Sequence, residues 1–143
     1  MQRGNLARRL LLYAWAAPTT LVGLTAGALT LASGGKAQVR RGALEFYGGF
    51  SRWFLERQMV KASAMTLGHA IIGRDQECLR ICRDHEQAHV RQVERWGVAF
   101  IPVYLLASGW ALVRGQDYYL DNWFEVDARR ACGEDLQGRV RHP

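Results

Sequence analysis

Two histidines and a glutamate stand in the order His85-Glu86-Gln87-Ala88-His89, the pattern HExxH. On a helix, residues four apart lie one above the other, with about 5–6 Å between their Cβ atoms. Two imidazoles so placed can hold one Zn²⁺, each at about 2.0–2.1 Å. Glu86 then flanks the same site, where it can take a proton from a zinc-bound water and later give it to a leaving amine. Catalytic zinc needs three protein ligands and a position left open for water. The expected third ligand is Glu125, within Asp121-Asn122-Trp123-Phe124-Glu125-Val126-Asp127-Ala128. This segment begins a helix whose apolar Trp123 and Phe124 dock it inward. The competing role for Glu125 is a capping box, with Asn122 as N-cap and Glu125 reaching back to its N–H. Asp121 and Asp127 are the next ligands in order, or acceptors for an imidazole N–H. Gln92 and Asn122 complete the supporting shell.

Other residues carry weaker signals. Cys78, Cys82, His85, His89, Gln92 and Trp96 fall on one helical stripe. A Cys82/His85 metal pair is conceivable, but a stripe of buried thiols is the simpler account. Cys78 and Cys82 are poorly placed to bridge each other on one helix. His69 is either an oxyanion-stabilising catalytic residue facing the site from a strand or a hydrogen-bonded core histidine. His142, at a charged terminus, reads as solvated.

The elements that must position these groups are partly legible. Asp75 is a good N-cap, nothing in Gln76 to Trp96 breaks a helix, and Gly97 suits its C-terminal end. Upstream, Val39–Phe46 reads as a strand, Gly48-Gly49 as a turn and Trp53–Val60 as a second strand, although Leu55-Glu56-Arg57 would also suit a helix. Met65–Ile72 reads as a third strand, with Met65, Leu67, His69 and Ile71 on one face. This strand is expected to hold an extended substrate by main-chain pairing.

The chain opens with Arg3, Arg8 and Arg9, followed by Leu10 to Ser33, 24 residues without a charge. A span needs about 20 residues, so this stretch reads as a transmembrane helix. The rival is a cleaved signal peptide ending near Leu31-Ala32-Ser33-Gly34, although its apolar region is longer than usual. Lys36, Arg40 and Arg41 balance the N-terminal arginines, so charge asymmetry sets no orientation. Val98–Val113 is also apolar but only 16 residues long. A full crossing there would put His85 and His89 on the opposite side from Glu125. If the three share a zinc, the segment is a buried core helix, a re-entrant element or an in-plane membrane helix, and a helix at or in the membrane interface is the one expected.

The HExxH motif with a downstream Asn122-x-x-Glu125 resembles the gluzincin zinc metallopeptidases. Those enzymes use the two His and the Glu as ligands and the motif Glu as base. Arg129 stands where gluzincins usually place an Asp four residues after the third ligand. The longer string His85-Glu86-x-x-His89-x-x-Gln92, with Arg95-Trp96-Gly97 and Asn122-x-Phe124-Glu125-x-Asp127-Ala128, also resembles small bacterial membrane proteins. That resemblance implies a bacterial inner-membrane location.

At 143 residues, with 49% hydrophobic and 22% charged residues, the chain fits one compact α+β domain after its anchor. Its net charge of +6 comes from scattered arginines without interleaved aromatics, which suits an anionic membrane surface and argues against nucleic acid. Three cysteines exclude a disulfide-stapled scaffold. The expected layout is an arm and transmembrane helix over 1–33 and a metallopeptidase-like domain over 34–143. That domain comprises a small antiparallel β-meander, the HExxH helix, an apolar helix and a C-terminal ligand helix. The expected function is a membrane-anchored, zinc-dependent peptidase acting on peptide or protein substrates. The alternative is a scaffold whose zinc is structural or whose site is degenerate.

Overall fold

The uncharged run lies within one long helix, α1 (Gln2–Ala32), in the computed structural model, which describes residues 2–58 and 62–134. Pro18 sits inside α1 without ending it. One face of α1 is made of small residues and docks lengthwise on the rest of the chain. Ala16, Thr19 and Thr30 are buried there. A Cβ on Gly23 would lie 2.6 Å from the Leu67 carbonyl oxygen, and one on Gly27 would lie 2.5 Å from the Phe46 ring. Only glycine permits so close a backbone approach. The opposite face, with Leu10, Leu11, Trp15, Leu21 and Leu31, is exposed.

Next come β1 (Lys36–Arg40) and β2 (Ala43–Tyr47), an antiparallel hairpin. Val39–Phe46 is therefore two strands and not one. The chain reverses at Arg41 and Gly42, whose φ values of 49° and 81° match the paired positive angles of a type I′ turn. The expected strand over Trp53–Val60 is corrected as well. Helix α2 (Gly49–Glu56) occupies its start, and Val60 lies outside the described residues. Burial of Ser51 and Leu55, four residues apart, gives α2 its inward face. The Ser51 hydroxyl lies 2.5 Å from that of Thr30, tying α2 to α1.

Met65–Ile72 is likewise a second hairpin, β3 (Ala64–Leu67) and β4 (Ala70–Gly73), turning at Gly68 and His69. The four strands lie in the order β1-β2-β4-β3, and β2 runs parallel to β4. The expected antiparallel meander is thus a mixed sheet. Parallel neighbours need a crossover connection, and the α2 segment supplies it.

Helix α3 (Gln76–Trp96) crosses the sheet. The Asp75 carboxylate accepts from the Cys78 N–H at 2.8 Å, and Gly97, with φ 58°, caps the other end. A short 3₁₀ turn leads into α4 (Phe100–Val113), and α5 (Trp123–Ala131) completes the α+β fold. Ala43, Ile71, Leu79 and Val90 pack between the sheet and α3. Val93, Phe100, Phe124 and Ala16 join α3, α4, α5 and α1. Among the described residues, two helical stretches are long and apolar enough, by length and composition, to cross a membrane, Asn5–Ala32 and Gln76–Val113. Their apolar windows are only 22% and 17% buried.

Candidate metal centre

The caps at Asp75 and Gly97 fix the run of α3, and its four-residue repeat sets His85 above His89. Their Nε2 atoms face each other at 3.1 Å. Helix α5 brings Glu125 to the same point. Its Oε2 lies 3.1 Å from His85 Nε2, and its Oε1 lies 3.3 Å from His89 Nε2. A tetrahedral zinc site with bonds of about 2.1 Å has ligand–ligand edges of about 3.4 Å. The three side chains therefore fit such an ion with only a slight spreading. Two imidazoles and a carboxylate are also a donor set suited to zinc.

Glu125 owes its position to α4 and α5 together. Asn122 caps α5 by accepting from the Phe124 N–H at 2.9 Å. Its amide also donates to Tyr104 O and Ser108 Oγ, so the chain after α4 folds back along that helix. Glu125 does not close a capping box. The Asn122 N–H bonds Tyr119 O, which leaves the Glu125 carboxylate free to face the histidines. The Tyr104 hydroxyl donates to Glu125 Oε1 at 2.6 Å. Burial alone would raise the Glu125 carboxyl. Hydrogen bonds from His85, His89 and Tyr104 outweigh it and hold the group well below the usual carboxylate range.

A relay holds His89. Its Nδ1 lies 2.8 Å from Gln92 Oε1, while Gln92 Nε2 donates to Phe124 O at 3.0 Å and Asp127 Oδ2 at 2.8 Å. Because the amide nitrogen serves two acceptors, its oxygen must accept, and the hydrogen on His89 belongs to Nδ1. In the neutral ring Nε2 then points its lone pair at the centre. Burial lowers the basicity of His89, but the carboxylates of Glu125 and Glu86 overcome it and push the pKa up to about 9. His85 Nδ1 lies 3.4 Å from Glu134. Arg129 donates to Leu120 O and steadies the loop before α5. Gln92 and Asp127 do the orienting.

Glu86 faces a cavity of about 230 Å³ between β3 and α4, which also reaches His89, Tyr104, Tyr119 and Glu125. The Thr66 hydroxyl donates to Glu86 Oε2 at 2.6 Å. Burial raises the Glu86 carboxyl, despite opposing contributions from His89 and Thr66. Among the described residues β3 is an edge strand, paired only with β4, and Ala64, Met65, Thr66 and Leu67 line this cavity.

The structure thus brings His85, His89, Glu125 and Glu86 together, with Gln92, Asn122 and Asp127 behind them. Two predicted residues lie elsewhere. His69 sits in the β3–β4 turn, bonded through Nε2 to Glu94 at 2.9 Å, and does not line this cavity. The turn at Gly68 removes it from the strand face on which the alternation placed it. Asp121 accepts from the Asp117 N–H in the loop before α5. Cys82 packs against the core beside Leu79, and Cys78, Cys82 and Cys132 are free thiols. His142 lies outside the described residues.

Sequence reasoning missed Tyr104, Tyr119, Thr66 and Glu134. A hydroxyl within the apolar run of α4 was the available signal for Tyr104. The others become neighbours only through tertiary packing. Compared with known proteins, the chain matches no protein family, no curated protein and no solved structure.

Proposed function

We propose that this chain is a membrane-associated zinc metallopeptidase acting on peptide or protein substrates. One observation carries the reading. His85 Nε2, His89 Nε2 and the two carboxylate oxygens of Glu125 bring three side chains within 3.1–3.3 Å of one another, with the buried carboxylate of Glu86 on the wall of the adjoining cavity. His85, His89 and Glu125 would hold the ion. When bound, zinc supplies a Lewis acid that polarises a carbonyl and acidifies water. Glu86 accepts a proton from the attacking water and passes it to the leaving amine. Its burial supports this role, because a carboxyl raised above its ordinary range holds a proton more readily and can return it. The free edge of β3 binds the substrate backbone as an added strand. The exposed Leu-rich face of α1 meets lipid, and α4 lies at the interface.

A closed structural site has four protein ligands. Here Glu134 approaches the other nitrogen of His85, and the cavity reaches the ligand cluster from the β3 side. Both features favour an open, catalytic site over a structural one. The test is a paired measurement on purified protein. Wild type and Glu86→Gln should each carry about one zinc per chain. Glu86→Gln should cleave a peptide library at least about 10²-fold more slowly. Equal cleavage by both proteins would refute the role of Glu86, and a zinc content unchanged in His85→Ala or His89→Ala would refute the site.

A further inference from the structure

A second cavity, of about 180 Å³, lies where the N-terminal part of α1 meets the β1–β2 turn and the outer face of α3. Arg9, Arg41 and Arg91 line it, together with Tyr13, His69, Gln87 and Glu94. Two of the guanidiniums are uncommitted. Among the described residues, the side chain of neither Arg9 nor Arg91 has a hydrogen bond or ion pair. Arg41 pairs with the exposed Asp84 at 2.6 Å. The lone carboxylate in the lining, Glu94, is bonded to His69. Arg9 is held against the turn. A Cβ at Gly42 would lie 3.4 Å from its Nη2 and 3.0 Å from the Tyr13 hydroxyl, which itself donates to Gly42 O.

The buried part of the wall is polar and incompletely satisfied. His69 and Gln87 are 6% and 7% exposed, yet His69 Nδ1 and Gln87 Nε2 have no partner among the described residues. His69 Nε2 donates to the Glu94 carboxylate, so it is the unmet Gln87 amide N–H that marks a place where an oxyanion can complete the bonding. Positive charge in excess, forked donors and an unpaired amide nitrogen suit an oxyanion, and a phosphate is the group best matched to guanidinium geometry. Arg9 also immediately precedes the uncharged Leu10–Ser33 run, which is the level of lipid headgroups if α1 enters a bilayer.

We propose that this cavity binds a phosphate group, clasped by Arg9, Arg41 and Arg91 beside His69 and Gln87. The site does not depend on the metal reading. The phosphate can come from an anionic phospholipid headgroup or from a soluble phosphate, and calorimetry on the full chain in detergent micelles separates them. Inorganic phosphate and a short-chain phosphatidylglycerol serve as probes. Wild type should bind at least one probe saturably. The exposed-residue pair Arg9→Gln/Arg91→Gln should weaken that binding about tenfold or more, the scale of lost charge-assisted hydrogen bonds. Gln87→Glu, which puts a carboxylate into the wall, should do the same. The control pair Arg95→Gln/Arg114→Gln removes equal charge outside the lining and should change binding by less than about twofold. Binding of phosphatidylglycerol alone assigns a lipid, and binding of inorganic phosphate assigns a soluble ligand. Absence of saturable binding by wild type, or equal losses in the two arginine pairs, overturns the site.

Discussion

Replacing Gln92 by Leu isolates the relay behind the candidate metal ligands. Leucine keeps much of the volume and the helix propensity but removes the amide. Three hydrogen bonds vanish, at 2.8, 3.0 and 2.8 Å. Asp127 is exposed and regains water. Phe124 O keeps its α5 bond from the Ala128 N–H, but the buried His89 Nδ1 is left without a partner, and an orphaned buried group costs about 1–3 kcal/mol. This one group sets an expected loss of about 1–3 kcal/mol in folding stability. The metal term is separate. A partner that fixes the tautomer and ring angle of a ligating histidine is worth about 10–100-fold in affinity, or about 1.4–2.7 kcal/mol. Competition with a chromophoric chelator measures the zinc Kd of both proteins, and urea denaturation of the metal-free forms measures the stability term. A Gln92→Leu protein with wild-type zinc affinity would show that His89 is not held through Gln92, and the site geometry argued above would fall.

Zinc affinity should rise with pH toward about 9. In the metal-free protein the raised His89 pKa keeps a proton on the ring below that pH, and that proton competes with the ion. The slope should approach tenfold per unit for each proton displaced, and a flat profile between pH 6 and 9 would contradict it. Tyr104→Phe removes the 2.6 Å donor to Glu125 and should weaken zinc binding by up to about tenfold, read by the same chelator assay. Gly27→Leu drives a side chain into the Phe46 ring and should destabilise the chain by about 1–3 kcal/mol or more, seen as a lowered Tm. Asp75→Ala uncaps α3 and should cost about 0.5–2 kcal/mol in denaturation, with little change in zinc content.

The sequence by itself determined the ligand helix. A capping Asp75, an unbroken run to Gly97 and a four-residue repeat of histidines are local properties, and backbone geometry alone converts them into two imidazoles facing one point. Glu125 and Gln92 were legible for a related reason, since each sits at a fixed offset from a helix signal. Strand pairing was not legible in this way. Met65, Leu67, His69 and Ile71 fall on one face of a continuous strand over Met65–Ile72, yet the chain turns at Gly68, because one glycine with φ 71° reverses it and a two-residue turn leaves little trace in hydrophobic period. That turn carries His69 out of the expected site and onto the wall of the arginine-lined cavity. Helix α1 divides on the same principle. Composition marked it only as apolar, whereas contact with Phe46 and Leu67 decides that its glycines face the sheet and its leucines face outward. Only the tertiary structure could decide these points, because each depends on residues far apart in the chain and on which of several apolar surfaces they cover.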